Sequence, residues 1–243
     1  MRGCFITGTG TGVGKTVLAA AIVAALRASG VAVTALKPIV TGLDQGHDQT
    51  EGDWPPDHEL LARVAGCAPE QVALIGYGPA VSPHLAAELA GEPIDPAALE
   101  ALIRSAAGAG DSAAGGRRVV VIEGVGGILV PLAGRYGVRE LAAKLALPLV
   151  IAASPGLGTI NHTLLTLEAA RSAGLQIAGV VLLPWPADPG PVERSNRETI
   201  ERLGAVAVAT LPFIARADPE LLAAAAQSLP LERWLATDSG PRR

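Results

Sequence analysis

Lysine is almost missing from this chain. It occurs 3 times, at positions 15, 37 and 144, against 16 arginines in 243 residues. Where a site needs a compact ammonium, a planar guanidinium is no substitute, so Lys37, beside a proline at the end of a strand-like run, is a candidate functional residue. Aromatics make up only 3% of a chain that is 49% hydrophobic, so the core must be built from Val, Leu, Ile and Ala. There are 2 cysteines, Cys4 and Cys67, too few for a disulfide framework and in keeping with a reducing compartment. No run of basic residues interrupts a net charge of −4 and a pI near 5.6, which argues against nucleic acid as a partner. Neither a charged-then-apolar leader nor an unbroken apolar span of about 18 residues is present. The expectation is a cytoplasmic protein that meets no membrane.

The length suits one large α/β domain. Strand-like runs fall at 3–7, 31–37, 118–123, 149–153, 177–183 and 205–211. Most are apolar throughout, as in strands covered on both faces of a parallel sheet. Helical patterns at 15–29, 58–66, 83–91, 96–107, 137–146, 160–173, 192–203 and 219–228 alternate with them. This order predicts a single-domain P-loop NTPase fold with a mostly parallel, doubly wound sheet flanked by helices. The domain is expected to span 1–236, with a loose tail over 237–243 and loops at 42–57 and 109–116. Ligands of such sheets bind beyond the carboxyl ends of the strands.

The most specific motif is GTGTGVGKT over residues 8–16. It follows an apolar run and precedes an alanine-rich helical pattern, the setting in which backbone N–H groups and a helix N-terminus cradle phosphate. Gly12, Val13, Gly14, Lys15, Thr16 and Val17 form the expected nucleotide-contacting stretch. Lys15 would reach the outer phosphates and the Thr16 hydroxyl would ligate Mg²⁺. A strict P-loop has glycine where this chain has Thr9. A dinucleotide fingerprint fails in every register, because it requires glycine at Val13 or Lys15.

Other strand ends carry further candidates. In Lys37-Pro38 the proline ends the ladder, which leaves Lys37 above the sheet or simply solvated at a strand terminus. Thr41 by itself is a turn hydroxyl. Glu123 closes an apolar run and precedes Gly124, Val125, Gly126 and Gly127. A buried unpaired carboxylate is costly, and a metal ion shared with Thr16 would relieve that cost. Gly124, Gly126 and Gly127 offer unhindered N–H groups to an anion. Asp57, after two prolines, reads locally as a helix N-cap; Asp53 and Asp44 have no distinguishing context. Thr159, Ile160 and Asn161 begin a helix whose N–H groups could be capped by Thr159 or Asn161 or could hold a carboxylate. Ser82-Pro83-His84 opens another helix with a serine cap, with a pocket role as the other reading of His84, and His162 has no assigned role.

Taken together and in this order, the glycine loop at 7–16, Lys37-Pro38 with Thr41, Ser82-Pro83-His84, the Glu123–Gly127 run and Gly158-Thr-Ile-Asn-His162 resemble dethiobiotin synthetase from Phe5 to about Leu222. The resemblance implies ATP-dependent carboxylation and ring closure of 7,8-diaminononanoate with CO₂. The reaction would pass through a carbamate and a carbamic-phosphoric anhydride to give dethiobiotin, ADP and phosphate for biotin biosynthesis. It implies Lys37 and Lys15 as catalytic, with Thr16, Asp57 and Glu123 on Mg²⁺. Thr41 and the N–H groups at Val125 and Gly126 would hold the diamine. The family forms a homodimer in which Thr159, Ile160 and Asn161 of one subunit grip the carboxylate tail of substrate bound to the other. The chain departs from the family pattern in three places. Gly10 and Gly12 stand where some relatives carry acids. Leu183, before Pro184, stands where some carry a base-reading asparagine, leaving base contacts to backbone near Pro212, Phe213 and Ile214. Asn196 stands where some carry a tyrosine on the substrate tail. The competing reading is a P-loop switch ATPase of the partition or iron-protein type, which carries an early loop lysine where this chain has Gly10.

Overall fold

The computed structural model describes residues 1–45, 54–109 and 118–235. The expected tail at 237–243, Asp53, and parts of both expected loops lie outside the described residues. In chain order the elements are β1 (Arg2–Gly8), α1 (Lys15–Ala28), β2 (Val33–Leu36), β3 (Ile39–Thr41), α2 (Asp57–Ala65), β4 (Ile75–Tyr77), α3 (Pro83–Ala90), α4 (Pro96–Gly108) and β5 (Val119–Gly127). There follow β6 (Pro131–Ala133), β7 (Tyr136–Gly137), α5 (Val138–Leu145), β8 (Leu149–Ala153), α6 (Thr159–Ser172), β9 (Ile177–Trp185), α7 (Pro191–Gly204), β10 (Val208–Pro212), α8 (Pro219–Ala225) and α9 (Leu231–Leu235).

Six strands form the main sheet in the order β10-β9-β8-β1-β5-β2, with every neighbouring pair parallel. The absence of alternation in the strand sequences has its reason here. Cys4 and Ile6 of β1 join the apolar cluster under α1, α2 and α8, while Phe5 joins the cluster on the opposite face. In β5, Val119 and Val121 face one cluster and Val120 and Ile122 the other. Both faces are therefore buried, and an apolar residue is required at each step. Strand order reverses at β1, which lies between β5 and β8. Beyond this switch point the crevice opens.

Pro38 ends β2 as expected, but the chain does not pass directly into a loop. Ile39–Thr41 pairs in parallel with Ile75–Tyr77 as a separate two-stranded sheet, and Ile75 N–H donates to the Pro38 carbonyl at 2.9 Å. These short strands, and the β6–β7 hairpin, go beyond the sequence reading. Strand β5 also runs on to Gly127, past the expected end at 123, because Gly127 still pairs with Gly8 of β1.

Candidate active site

The glycine loop joins β1 to α1, and its geometry explains why Thr9 is tolerated. Thr9 N–H donates to the Ala152 carbonyl of β8 at 3.0 Å. That residue therefore continues the strand, and its φ is not positive. Left-handed geometry is confined to Gly12 (φ 75°) and Gly14 (φ 88°). At Gly14 a β-carbon would also lie 2.8 Å from Leu183 Cδ1, so glycine is required there for both space and torsion.

Above the loop lies a cleft of about 660 Å³. It collects Gly12, Gly14, Lys15, Thr16 and Val17 from the loop and α1, Lys37 and Thr41 from either side of β3, Asp57 from α2, and Glu123, Val125 and Gly126 from β5. Residues distant in sequence meet here because β1, β2 and β5 end at the same edge. The cleft also includes Thr11, Ser82 and Val130, which are not among the expected site residues. Ser82 had a signal in the sequence, the Ser-Pro helix start, but it does not cap α3 through its side chain.

The charged groups form one connected cluster. Lys37 Nζ donates to Glu123 Oε1 at 2.8 Å and to Asp57 Oδ2. The Thr16 hydroxyl donates to the same Glu123 Oε1 at 2.8 Å. Lys15 Nζ turns back onto the Gly10 carbonyl at 2.8 Å. The side chain of Glu123 is fully buried, and its Oε2 has no hydrogen-bond partner. Burial raises the Glu123 carboxyl above the usual range, and the Asp57 charge adds to this against the pull of Lys37. For Lys37 burial would lower the pKa, but the two carboxylates outweigh it and hold the ammonium charged. Burial likewise opposes ionisation of Asp57, yet contact with Lys37 brings its carboxyl below the usual value. Burial lowers Lys15.

Asp57 is not the helix N-cap that its local sequence suggests. Pro56 takes the cap position without a side-chain bond, and Asp57 is the first helical residue. Its carboxylate is directed to Lys37. Neither Thr159 nor Asn161 caps α6, whose N-cap is Gly158 without a side-chain bond. The Thr159 hydroxyl lies 3.4 Å from that of Thr163. Thr159, Ile160 and Asn161 do not line the cleft of their own chain. Asn196 is buried, and its amide donates to the carbonyls of Pro155 and Gly156 at 2.9 and 3.1 Å, fixing the turn that leads into α6.

Several other candidates also stand away from the cleft. Val13 packs on the core, and Gly124 lies so close to Phe5 that a β-carbon would approach it to 3.0 Å. Leu183 is buried against Gly14, Pro184 and Pro212 are exposed, Phe213 is 71% exposed and Ile214 is in the core. His84 and His162 are both exposed and outside the cleft.

Among the described residues no group of three or more His, Cys, Asp or Glu side chains converges as a metal site. The cleft offers a different donor set, two carboxylates and the Thr16 hydroxyl, with a buried orphan oxygen on Glu123. That set fits a hard cation which shares its remaining positions with water and phosphate.

A family model for the AAA domain matches residues 2–220. An ATP-dependent dethiobiotin synthetase of Mycolicibacterium gilvum is 40% identical over 207 residues, covering 84% of each chain. The enzyme of the same name from Haloferax mediterranei is 35% identical over 235 residues, with 96% of this chain and 93% of that one aligned. Among solved structures, a ParA family ATPase from Chlorobium tepidum superposes with a TM-score of 0.52 at 14% identity, over 96% of this chain and 95% of that one. At such low identity this likeness is one of fold.

Proposed function

The chain belongs to the ATP-dependent dethiobiotin synthetase family, ligases of biotin biosynthesis, and we propose that it closes a cyclic urea on 7,8-diaminononanoate. One amine of the diamine adds to CO₂, forming a C–N bond and losing a proton. A carbamate oxygen then attacks the γ-phosphorus of ATP, and the bond to ADP breaks. The neighbouring amine attacks the carbonyl carbon of the resulting carbamic-phosphoric anhydride, and phosphate leaves as the ring closes.

The observation that carries this reading is the placement of Lys37 beside the P-loop, between Asp57 and Glu123. A switch that only binds and hydrolyses nucleotide has no need of a second buried ammonium here. In this reading carbamate and γ-phosphate must be held in line despite their like charge, so catalysis is mainly positioning and neutralisation. Lys15 takes the outer phosphates, with backbone N–H groups of Gly12 to Val17 around them. Lys37 spans the carbamate and the transferred phosphoryl group. Thr16, Asp57 and Glu123 hold Mg²⁺, which when bound neutralises charge on the phosphate oxygens. Thr41 and the N–H groups of Val125 and Gly126 hold the diamine. The base lies toward Leu183, Pro184 and the 212–214 segment.

The protein acts as a homodimer, with the start of α6 in one subunit receiving the carboxylate tail of substrate in the other. Its support is a set of exposed apolar side chains beside that helix start. Leu157 is 99%, Leu129 62% and Leu165 59% exposed, and Leu129 and Leu165 line one apolar groove between α6 and the turn after β5. Clustered exposed leucines of this kind mark an interface.

Mass spectrometry of a mixture of protein, diamine, bicarbonate, Mg²⁺ and ATP should detect dethiobiotin. Lys37→Ala should abolish that product while a nonhydrolysable ATP analogue still binds by calorimetry. Undiminished turnover by this variant would refute the role given to Lys37.

A further inference from the structure

Lys37 occupies the place of a cation. Its Nζ is held at once by Glu123 Oε1, at 2.8 Å, and by Asp57 Oδ2, the only carboxylates among the described residues that line the cleft. Glu123 Oε1 already accepts from Thr16 as well. A metal ion that takes the Thr16 oxygen together with the shared Glu123 Oε1 must therefore turn the Thr16 proton away and displace Lys37 from that oxygen. The displaced ammonium is buried, with its side chain only 8% exposed, and needs a new anionic partner to avoid a costly unpaired charge. Among the described residues the cleft holds none, because its remaining charged side chain is another ammonium, Lys15.

We propose that Lys37 is the resident counter-cation of the metal half-site, and that it restricts this site to a divalent cation delivered together with a polyphosphate. A free cation that takes Glu123 Oε1 must evict Lys37 into a cleft whose described residues offer it no other anion. A nucleotide-bound cation brings phosphate oxygens that accept both Lys37 and Lys15, so metal loading and release of Lys37 toward the reacting phosphate are one event. This inference rests on the reading of Thr16, Asp57 and Glu123 as the metal side.

The test measures binding of Mn²⁺ alone, by loss of the aqueous Mn²⁺ electron paramagnetic resonance signal, to the full chain without nucleotide. The unsubstituted protein should bind weakly. Lys37→Met and Lys37→Gln should each bind Mn²⁺ at least about tenfold more tightly, a factor worth about 1.4 kcal/mol. Lys37→Arg, which keeps the charge, should exclude Mn²⁺ as the unsubstituted protein does; a merely structural disturbance would not separate Arg from Met and Gln. Adding Glu123→Gln to Lys37→Met should remove the gain. Equal Mn²⁺ affinity for the unsubstituted, Met and Gln proteins overturns the proposal while leaving the metal assignment standing. If Glu123→Gln alone leaves Mn²⁺ affinity unchanged in the nucleotide-loaded protein, the metal assignment fails, and the proposal with it.

Discussion

Glu123 has a fully buried side chain, and a carboxylate in that position without partners would cost several kcal/mol. Lys37 and Thr16 meet part of that cost, and the orphan Oε2 shows what is left. The cost and the nearness of Thr16 were legible in the sequence, because an acid that closes an apolar strand next to a glycine loop has few uses; the contact with Lys37 was not. For Asp57 the local sequence misleads, and only the resemblance places it in the site. An aspartate that opens a helix after two prolines looks like a cap, but here its carboxylate bonds Lys37. At this scale Leu183 makes a sharp prediction. Its apolar side chain packs against Gly14 and offers the base no hydrogen bond, so GTP and CTP should support substantial turnover in a coupled phosphate assay; strict dependence on ATP would count against this. Cys4 makes another. Burial pushes its thiol up to about 12, and the reactive thiolate is thus scarce at any working pH. At pH 8 a thiol-exchange dye should titrate at most Cys67 in the folded protein and both cysteines in denaturant. Because the folded pKa is raised, Cys4 should stay silent as the pH rises from 7 to 9.

Elements with a long periodic pattern were readable to within a few residues, and short ones were not. Strands β3 and β4, over Ile39–Thr41 and Ile75–Tyr77, contain too few residues to establish a period, and each exists because the other is there to pair with. The start of β10 shows a second kind of shift. The apolar run begins at Ala205, but Ala205 ends α7 in a left-handed conformation (φ 43°), so the strand begins only at Val208. Helix caps divide in the same way. Asp95 is a true cap, accepting from the N–H groups of Ala97 and Ala98 at 2.8 and 3.3 Å, whereas Asp57 has a tertiary partner instead. Asp95→Ala should therefore destabilise the fold by about 1 kcal/mol in urea unfolding and leave turnover unchanged. An unaltered midpoint would show that α4 does not depend on this cap.

For the molecule as a whole, fold and activity separate cleanly. The overall fold is like that of a ParA family ATPase at 14% identity, while relatives at 35–41% identity carry one enzymatic name. On this fold the chain carries a pair of lysines in the cleft and an apolar face beside α6. If that face joins two subunits, Leu165→Asp should yield a monomer by light scattering and lower turnover at least about tenfold, since burying a charge in an apolar interface is prohibitive. Nucleotide affinity should be preserved, because Leu165 does not line the cleft that holds Lys15, Thr16 and Lys37. A dimeric variant, or a fully active monomer, would refute the shared site.

The sequence by itself determined that this chain binds phosphate, that its sheet is parallel and covered on both faces, and which family it belongs to. These properties are written locally, in a contiguous glycine loop, in unbroken apolar runs and in motifs of a few residues. The tertiary structure alone decided that Lys37 stands between Asp57 and Glu123, that Asp57 does not cap its own helix, and that Leu183 lies against the glycine loop. Each of these brings together groups from strands and helices far apart in the chain. Electrostatic pairing and van der Waals contact act over a few ångströms of space, whatever the distance along the backbone.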